Sequence, residues 1–259
     1  MPLPRVLTAV VGIPLLLFFI HWGGLTFSLF VVAVAALSLY EYGVILYLGR
    51  RPVQRLNVVL GGSLLAICQA LNGPLNLALS IVVTAVLFRE MFSREHSLDR
   101  AAATLFGTLL FGWMPAHLAL VRDIRPSGEL LTFMFFISVW AMDCMGYIAG
   151  TALGRRQLAP VLSPKKTWEG AVAGFIAAFL VVLVFQTVNP ALLSLPKALC
   201  LGALIGLSGQ LSDMGQSMIK RAVGAKDSGN LLPGHGGVMD RFDSFILSAP
   251  AVYYCLVAR

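Results

Sequence analysis

Residues 217–243, SMIKRAVGAKDSGNLLPGHGGVMDRFD, gather Lys220, Arg221, Lys226 and Arg241 with Asp227, Asp240, Asp243, His235 and a glycine-rich stretch. Carboxylate oxygens are the hard donors that Mg²⁺ takes, and lysine and arginine neutralise phosphate oxygens. Together such residues can hold a metal ion and a polyphosphate. Asp240 and Asp243 stand three apart, so a helix starting near residue 238 would place both on one face of its first turn. Two carboxylates that close repel unless a cation or Arg241 lies between them, which favours metal binding; capping of the helix is the plainer alternative. The glycines at 234, 236 and 237 would let backbone amides approach phosphate oxygens. His235 fits phosphate contact or loop structure better than proton transfer, and no GxSxG elbow supplies a serine nucleophile.

Three more acids, Glu41, Asp143 and Asp213, fall inside apolar stretches, where a charge costs a few kcal/mol unless it is paired or hydrated. Asp213 precedes Lys220 by seven residues, two helical turns on the same face, so one helix could carry a metal ligand and a phosphate clamp. An internal ion pair is the other reading for Asp213 and for Asp143. Glu41, between Tyr40 and Tyr42, reads as structural. A second polar run at 163–170, SPKKTWEG, follows Arg155 and Arg156. There Lys165 and Lys166 precede a helix start that would attract an anion. A positively charged membrane flank with Trp168 at the interface explains the same residues as well. The phosphate-binding pattern GxxxxGK[ST] is absent.

These residues are set in a chain of 259 residues that is 58% hydrophobic and 12% charged, with a mean hydropathy of +0.84. That much apolar surface excludes a water-soluble protein and predicts an all-α, polytopic integral membrane protein. About nine transmembrane helices are expected, over 5–21, 25–48, 56–71, 75–92, 98–121, 129–153, 168–188, 196–223 and 238–258. Breaks are expected at residues 22–24 and 72–74, and the first segment is read as an uncleaved span. With the N-terminus inside, the inner loops hold 15 of the 19 lysines and arginines, leaving Arg122, Arg125, Lys197 and Arg259 outside. The cytoplasmic loops 154–167 and 220–240 then face nucleotides. A net charge of +7 without a basic arm or zinc-finger spacing argues against nucleic acid and for anionic headgroups or phosphorylated substrates. Cys68, Cys144, Cys200 and Cys255 are isolated and read as small apolar residues.

The run at 217–243 resembles the signature of the phosphatidate cytidylyltransferases, or CDP-diacylglycerol synthases: S-x-x-K-R-x(4)-K-D, a short spacer, then P-x-H-G-G-x-x-D-R-x-D. Ser217, Lys220, Arg221, Lys226, Asp227, Pro233, His235, Gly236, Gly237, Asp240, Arg241 and Asp243 all match it. SPKKTWEG, residues 143–150 and SDMGQS at 212–217 resemble other family segments, while the N-terminal half is similar only in being apolar. The resemblance implies transfer of CMP from CTP to phosphatidate, giving CDP-diacylglycerol and pyrophosphate. It also implies Mg²⁺ with K⁺ as a second cation, a homodimer, and the cytoplasmic membrane of a bacterium. On that basis Asp213, Asp240 and Asp243 are the expected metal ligands, with Asp227 a fourth candidate, and Lys220 and Arg241 join the three as catalytic residues. Lys165, Lys166, Ser217, Arg221, Lys226, Asp227, His235, Gly236, Gly237 and Asp143 are the expected substrate-binding residues. Residues 1–128 are read as scaffold helices and 129–259 as the catalytic region. A secondary transporter, suggested by Glu41, Asp143 and Asp213, and a CTP-dependent lipid kinase are the alternatives. The polar residues crowd one end of the last helices, which favours an enzyme.

Overall fold

A computed structural model describes residues 3–258 apart from 232, 233 and 235, with side chains described from residue 10 onward. The chain is predominantly helical: α1 (Leu3–Trp22), α2 (Gly24–Leu48), α3 (Arg55–Ala70), α4 (Leu75–Met91), α5 (Leu98–Gly107), a π-helical turn (Thr108–Trp113), α6 (His117–Arg122), α7 (Gly128–Leu153), α8 (Trp168–Val188), α9 (Leu195–Ala222) and α10 (Phe245–Val257). A 3₁₀ turn, Met239–Arg241, precedes α10. One feature departs from an all-α reading: β1 (Gln157–Ala159) and β2 (Ser163–Thr167) form an antiparallel hairpin.

Five helical stretches among the described residues are long and apolar enough to cross a membrane: Gly24–Leu48, Leu98–Arg122, Gly128–Leu153, Trp168–Val188 and Leu195–Ala222. Val10–Trp22, Arg55–Ala70 and Phe245–Val257 are apolar but shorter. The expected count of nine is thus met only in part, because several segments fall short of the roughly 20 residues that a 30 Å hydrocarbon core needs. Along α8 the large apolar side chains of Val172, Ile176, Leu180, Val184 and Val188 are exposed at four-residue spacing. Such a stripe suits lipid and would be untenable in water.

The chain folds into two compact units, one reaching to Leu120 and including Ile219–Phe242, the other comprising Val121–Met218 and the chain from Asp243 onward. In the first, Leu65, Cys68, Ala78 and Val82 form a buried cluster packed by Leu105 and Trp113. The expected helix at 98–121 is interrupted here. The Met114 N–H reaches back to the Leu109 carbonyl at 3.1 Å, a wider turn than an α-helix makes, and Pro115 follows with no N–H to give. The break before α2 and the turn at 72–74 are as expected, with positive φ at Gly23, Gly24 and Asn72.

In the second unit α7, α8 and α9 approach closely on small residues. A Cβ on Gly170 would come within 2.6 Å of the Gly146 carbonyl, and one on Gly174 within 2.7 Å of the Met142 carbonyl. On α9, a Cβ at Gly206 would meet the Phe175 ring at 2.7 Å. Phe245 at the start of α10 packs against Phe136 with ring centroids 4.4 Å apart.

The helix expected from residue 238 begins instead at Phe245. The reason is in the hydrogen bonding: the Val238 and Met239 amides donate to the Glu41 carboxylate on α2, and the Gly237 amide to Asp240 three residues on. Asp240 and Asp243 therefore do not share a helical first turn. Asp240 sits in the 3₁₀ turn, and Asp243 accepts the Ser244 N–H at 2.8 Å just before α10.

Candidate functional site

In the first unit the end of α9 and the loop after it carry the densest polar cluster. Lys220, nearly buried on the last turn of α9, donates from Nζ to Asp240 Oδ1 at 2.7 Å. The other oxygen, Oδ2, accepts from the Ser228 N–H at 2.8 Å, the Ser228 hydroxyl at 2.9 Å and the Gly237 N–H at 3.1 Å. Burial alone would raise the Asp240 carboxyl, but the Lys220 ammonium and the Ser228 and Gly237 amides outweigh it and hold the group below its ordinary 3.8. Asp240 is therefore an ionised anchor at neutral pH.

The glycines here serve two geometries. Gly234 and Gly236 hold φ of 77° and 82°, a region that other residues avoid, so the chain can turn back on itself. Gly237 instead leaves room, since a Cβ there would collide with the Ser228 hydroxyl and the Glu41 carboxylate. Its amide is committed to Asp240 rather than open to a phosphate. Arg221 donates from Nη1 to the Ala225 carbonyl at 3.2 Å, and Arg221, Lys226, Asp227 and Arg241 are all exposed. His235 lies outside the described residues.

The second unit carries a second lysine–aspartate pair. Lys166 on β2 donates from Nζ to Asp213 Oδ2 on α9 at 2.6 Å, and the Ser217 hydroxyl, one turn on, stands 3.5 Å from Asp213 Oδ1. The ion-pair alternative for Asp213 thus takes a definite form, with a partner from the SPKKTWEG run. The hairpin explains why Lys166 can reach: Gln157 pairs with Thr167 and Ala159 with Ser163, and Trp168 N–H closes on the Arg156 carbonyl at 3.0 Å. Thr167 caps α8, its hydroxyl accepting the Gly170 N–H at 3.2 Å. Lys165, its neighbour, is exposed. Ser212, beside Asp213, donates to the Asp243 carbonyl and accepts the Leu247 N–H at 3.1 Å, tying the start of α10 to α9. Asp143 on α7 is exposed and has the Ser244 hydroxyl 3.4 Å from its Oδ1.

Among the described residues no group of three or more histidine, cysteine, aspartate or glutamate side chains is gathered as a metal would need. The donor chemistry nevertheless fits a hard divalent cation. In the first unit Asp240 offers carboxylate oxygens, and its Oδ1, which among the described residues accepts from Lys220, keeps lone-pair capacity; in the second unit Asp213 offers its own. Two residues that matter to this geometry, Ser228 and Glu41, were not among the expected site residues. Glu41 as a lone acid in an apolar helix was the available signal.

Each pair by itself sets a hard carboxylate beside a lysine ammonium, chemistry that suits phosphate-bearing ligands and hard cations. Known proteins are similar to this chain over nearly its whole length. Residues 3–258 match the profile of the Cytidylyltransferase family. A phosphatidate cytidylyltransferase of Synechocystis sp. is 32% identical over 286 residues, covering 99% of this chain and 97% of that protein. Those of Bacillus subtilis and Brucella abortus are 28% and 31% identical, covering 97% and 96% of this chain and 96% and 91% of their own lengths. The chain therefore belongs to the phosphatidate cytidylyltransferase family.

Proposed function

We propose that this protein transfers the cytidylyl group of CTP to phosphatidate, forming CDP-diacylglycerol and pyrophosphate. The observation that carries the reading is family membership across residues 3–258, nearly the whole chain. A phosphatidate oxygen attacks the α-phosphorus of CTP, the α–β phosphoanhydride bond breaks, and pyrophosphate leaves with the bonding electrons. Phosphatidate already carries an anionic oxygen at neutral pH, so little general-base help is needed. The obstacle is repulsion between two polyanions.

Lysines and arginines lower that barrier. In this reading Lys165, Lys166, Lys220, Arg221, Lys226 and Arg241 hold the triphosphate and the lipid phosphate, and Ser217 and His235 orient phosphate oxygens. Gly236 lets the chain turn beside the nucleotide, Gly237 serves the site by leaving room for Glu41 and Ser228, and Asp143 lines a polar path for the headgroup. Asp213, Asp240 and Asp243, with Asp227 as a further candidate, would hold Mg²⁺, with K⁺ as a second cation. The bound cation supplies charge neutralisation on the phosphates and on the leaving pyrophosphate. Lys220 and Lys166 keep the Asp240 and Asp213 carboxylates paired and oriented.

The reading extends to a homodimer in a bacterial cytoplasmic membrane, with about nine spans, the N-terminus and the loops 154–167 and 220–240 on the cytoplasmic side. Residues 1–128 serve as scaffold and 129–259 supply most catalytic groups. The test is direct. Purified protein given labelled CTP, phosphatidate and Mg²⁺ should yield a labelled liponucleotide and pyrophosphate. Label left in CTP, or phosphate transferred from its γ-position, would mark a carrier or a lipid kinase instead.

A further inference from the structure

Glu41 is a buried acid that the transfer chemistry does not use. It lies within α2, far in sequence from the signature run, and is 2% exposed. Its Oε2 accepts from the Ser228 hydroxyl at 2.9 Å and the Met239 N–H at 2.8 Å, and its Oε1 from the Val238 N–H at 2.9 Å. None of these three donors carries a charge. They come from both ends of the loop that runs from Ser228 to Met239. Asp240 draws on the same two ends through Ser228 and Gly237. The Ser228 hydroxyl stands 2.9 Å from both carboxylates and has one proton to give, so it serves one at a time. Gly237 completes the closure, because any side chain there would collide with Ser228 and Glu41.

We propose that Glu41 is a positioning residue for nucleotide binding, which ties Ser228 to Val238 and Met239 so that the Asp240 and Lys220 groups held by these same ends meet CTP in a preset geometry. The inference rests on the cytidylyl-transfer reading and deepens it, assigning a role in that site to a helix outside the signature. A loop held before the ligand arrives loses less conformational freedom on binding, so its restraint shows in affinity for the nucleotide. The lipid substrate gains nothing from it.

Glu41→Gln tests this, since the amide nitrogen presents protons to groups that are themselves donors. CTP binding by calorimetry and KM for each substrate are measured on folded protein in detergent. The expected result is a rise of about tenfold in both Kd and KM for CTP, from buried donors left without an acceptor. KM for phosphatidate should stay within about twofold and kcat within about threefold on the same ground, that the loop restraint concerns nucleotide binding. Loss of folded protein alone would lower kcat and leave KM untouched. Ser228→Ala should shift the CTP values in the same direction by less, and the double variant should fall short of the sum. Unchanged CTP binding in Glu41→Gln, or equal rises for both substrates, would overturn the proposal. If Glu41→Gln does not fold, unchanged CTP values in Ser228→Ala overturn it. A wild-type protein that binds CTP without transferring it refutes the transfer reading while Glu41→Gln still decides this one; a wild type that binds no CTP refutes both.

Discussion

Asp240 combines a charge partner, a hydroxyl and two backbone amides on one carboxylate, and its loss should be felt twice. Asp240→Asn replaces an oxygen with a donor facing other donors and removes the anion opposite Lys220. Turnover of CTP with phosphatidate should fall by about 100-fold or more, as for loss of one preorganised electrostatic group; near wild-type turnover would sink the assignment. The pH dependence follows from its lowered titration. The stability that Asp240 contributes is fully present above the unfolded value near 3.8 and is lost as pH falls through the folded value below it. Hydrogen exchange at the Ser228 and Gly237 amides should therefore show no Asp240-linked step between pH 5 and 8, and an acid step only below 3.8, absent in Asp240→Asn. The other pair behaves differently. Lys166 and Asp213 are 29% and 26% exposed, so water screens their attraction and the pair adds less than about 1 kcal/mol to stability. Lys166→Met should leave the thermal midpoint within a few degrees and still reduce turnover, measured on the same preparation.

At the scale of elements, α8 was legible in the sequence because a long apolar run follows the polar SPKKTWEG stretch; the helix begins at Trp168 and ends at Val188 as expected. Thr167→Ala removes the cap hydrogen bond and should cost about 1 kcal/mol in a thermal melt in detergent. A larger effect belongs to the glycine-lined packing of α7 on α8. Gly174→Leu drives a side chain into the Met142 carbonyl and should destabilise by about 1–3 kcal/mol or prevent folding, read by the same melt. The hairpin at Gln157–Thr167 was not legible: Pro160 and Pro164 and two adjacent lysines hide any alternation of apolar and polar residues. The start of α10 was misplaced for a different reason. The groups that take the amides of Val238 and Met239 lie 197 and 198 residues away, and no local pattern announces a contact of that range.

For the whole molecule, composition alone announced a membrane protein, and the exposed stripe on α8 agrees with it. The number of spans was less legible, since helices of 16 or 17 residues such as α3 and α4 sit at the edge of what the hydrocarbon thickness demands. Orientation can be read chemically. With the four native cysteines replaced, a cysteine at Val161, which is 84% exposed, should react with an impermeant maleimide from the cytoplasmic side, and one at Arg125 from the opposite side. The reverse pattern would invert the proposed topology. The division of the chain into units has a further consequence for biogenesis. Ile219–Phe242 complete a unit whose other part ends at Leu120, with Val121–Met218 of the other unit between them. Synthesis proceeds from the N-terminus, so the earliest helices to enter the bilayer must wait for nearly all of the polypeptide to leave the ribosome before their last piece arrives. A ribosome-stalled chain ending at residue 218 should accordingly leave Glu41 without its Ser228, Val238 and Met239 partners and open to proteolysis around α2, and release of residues 219–242 should restore protection.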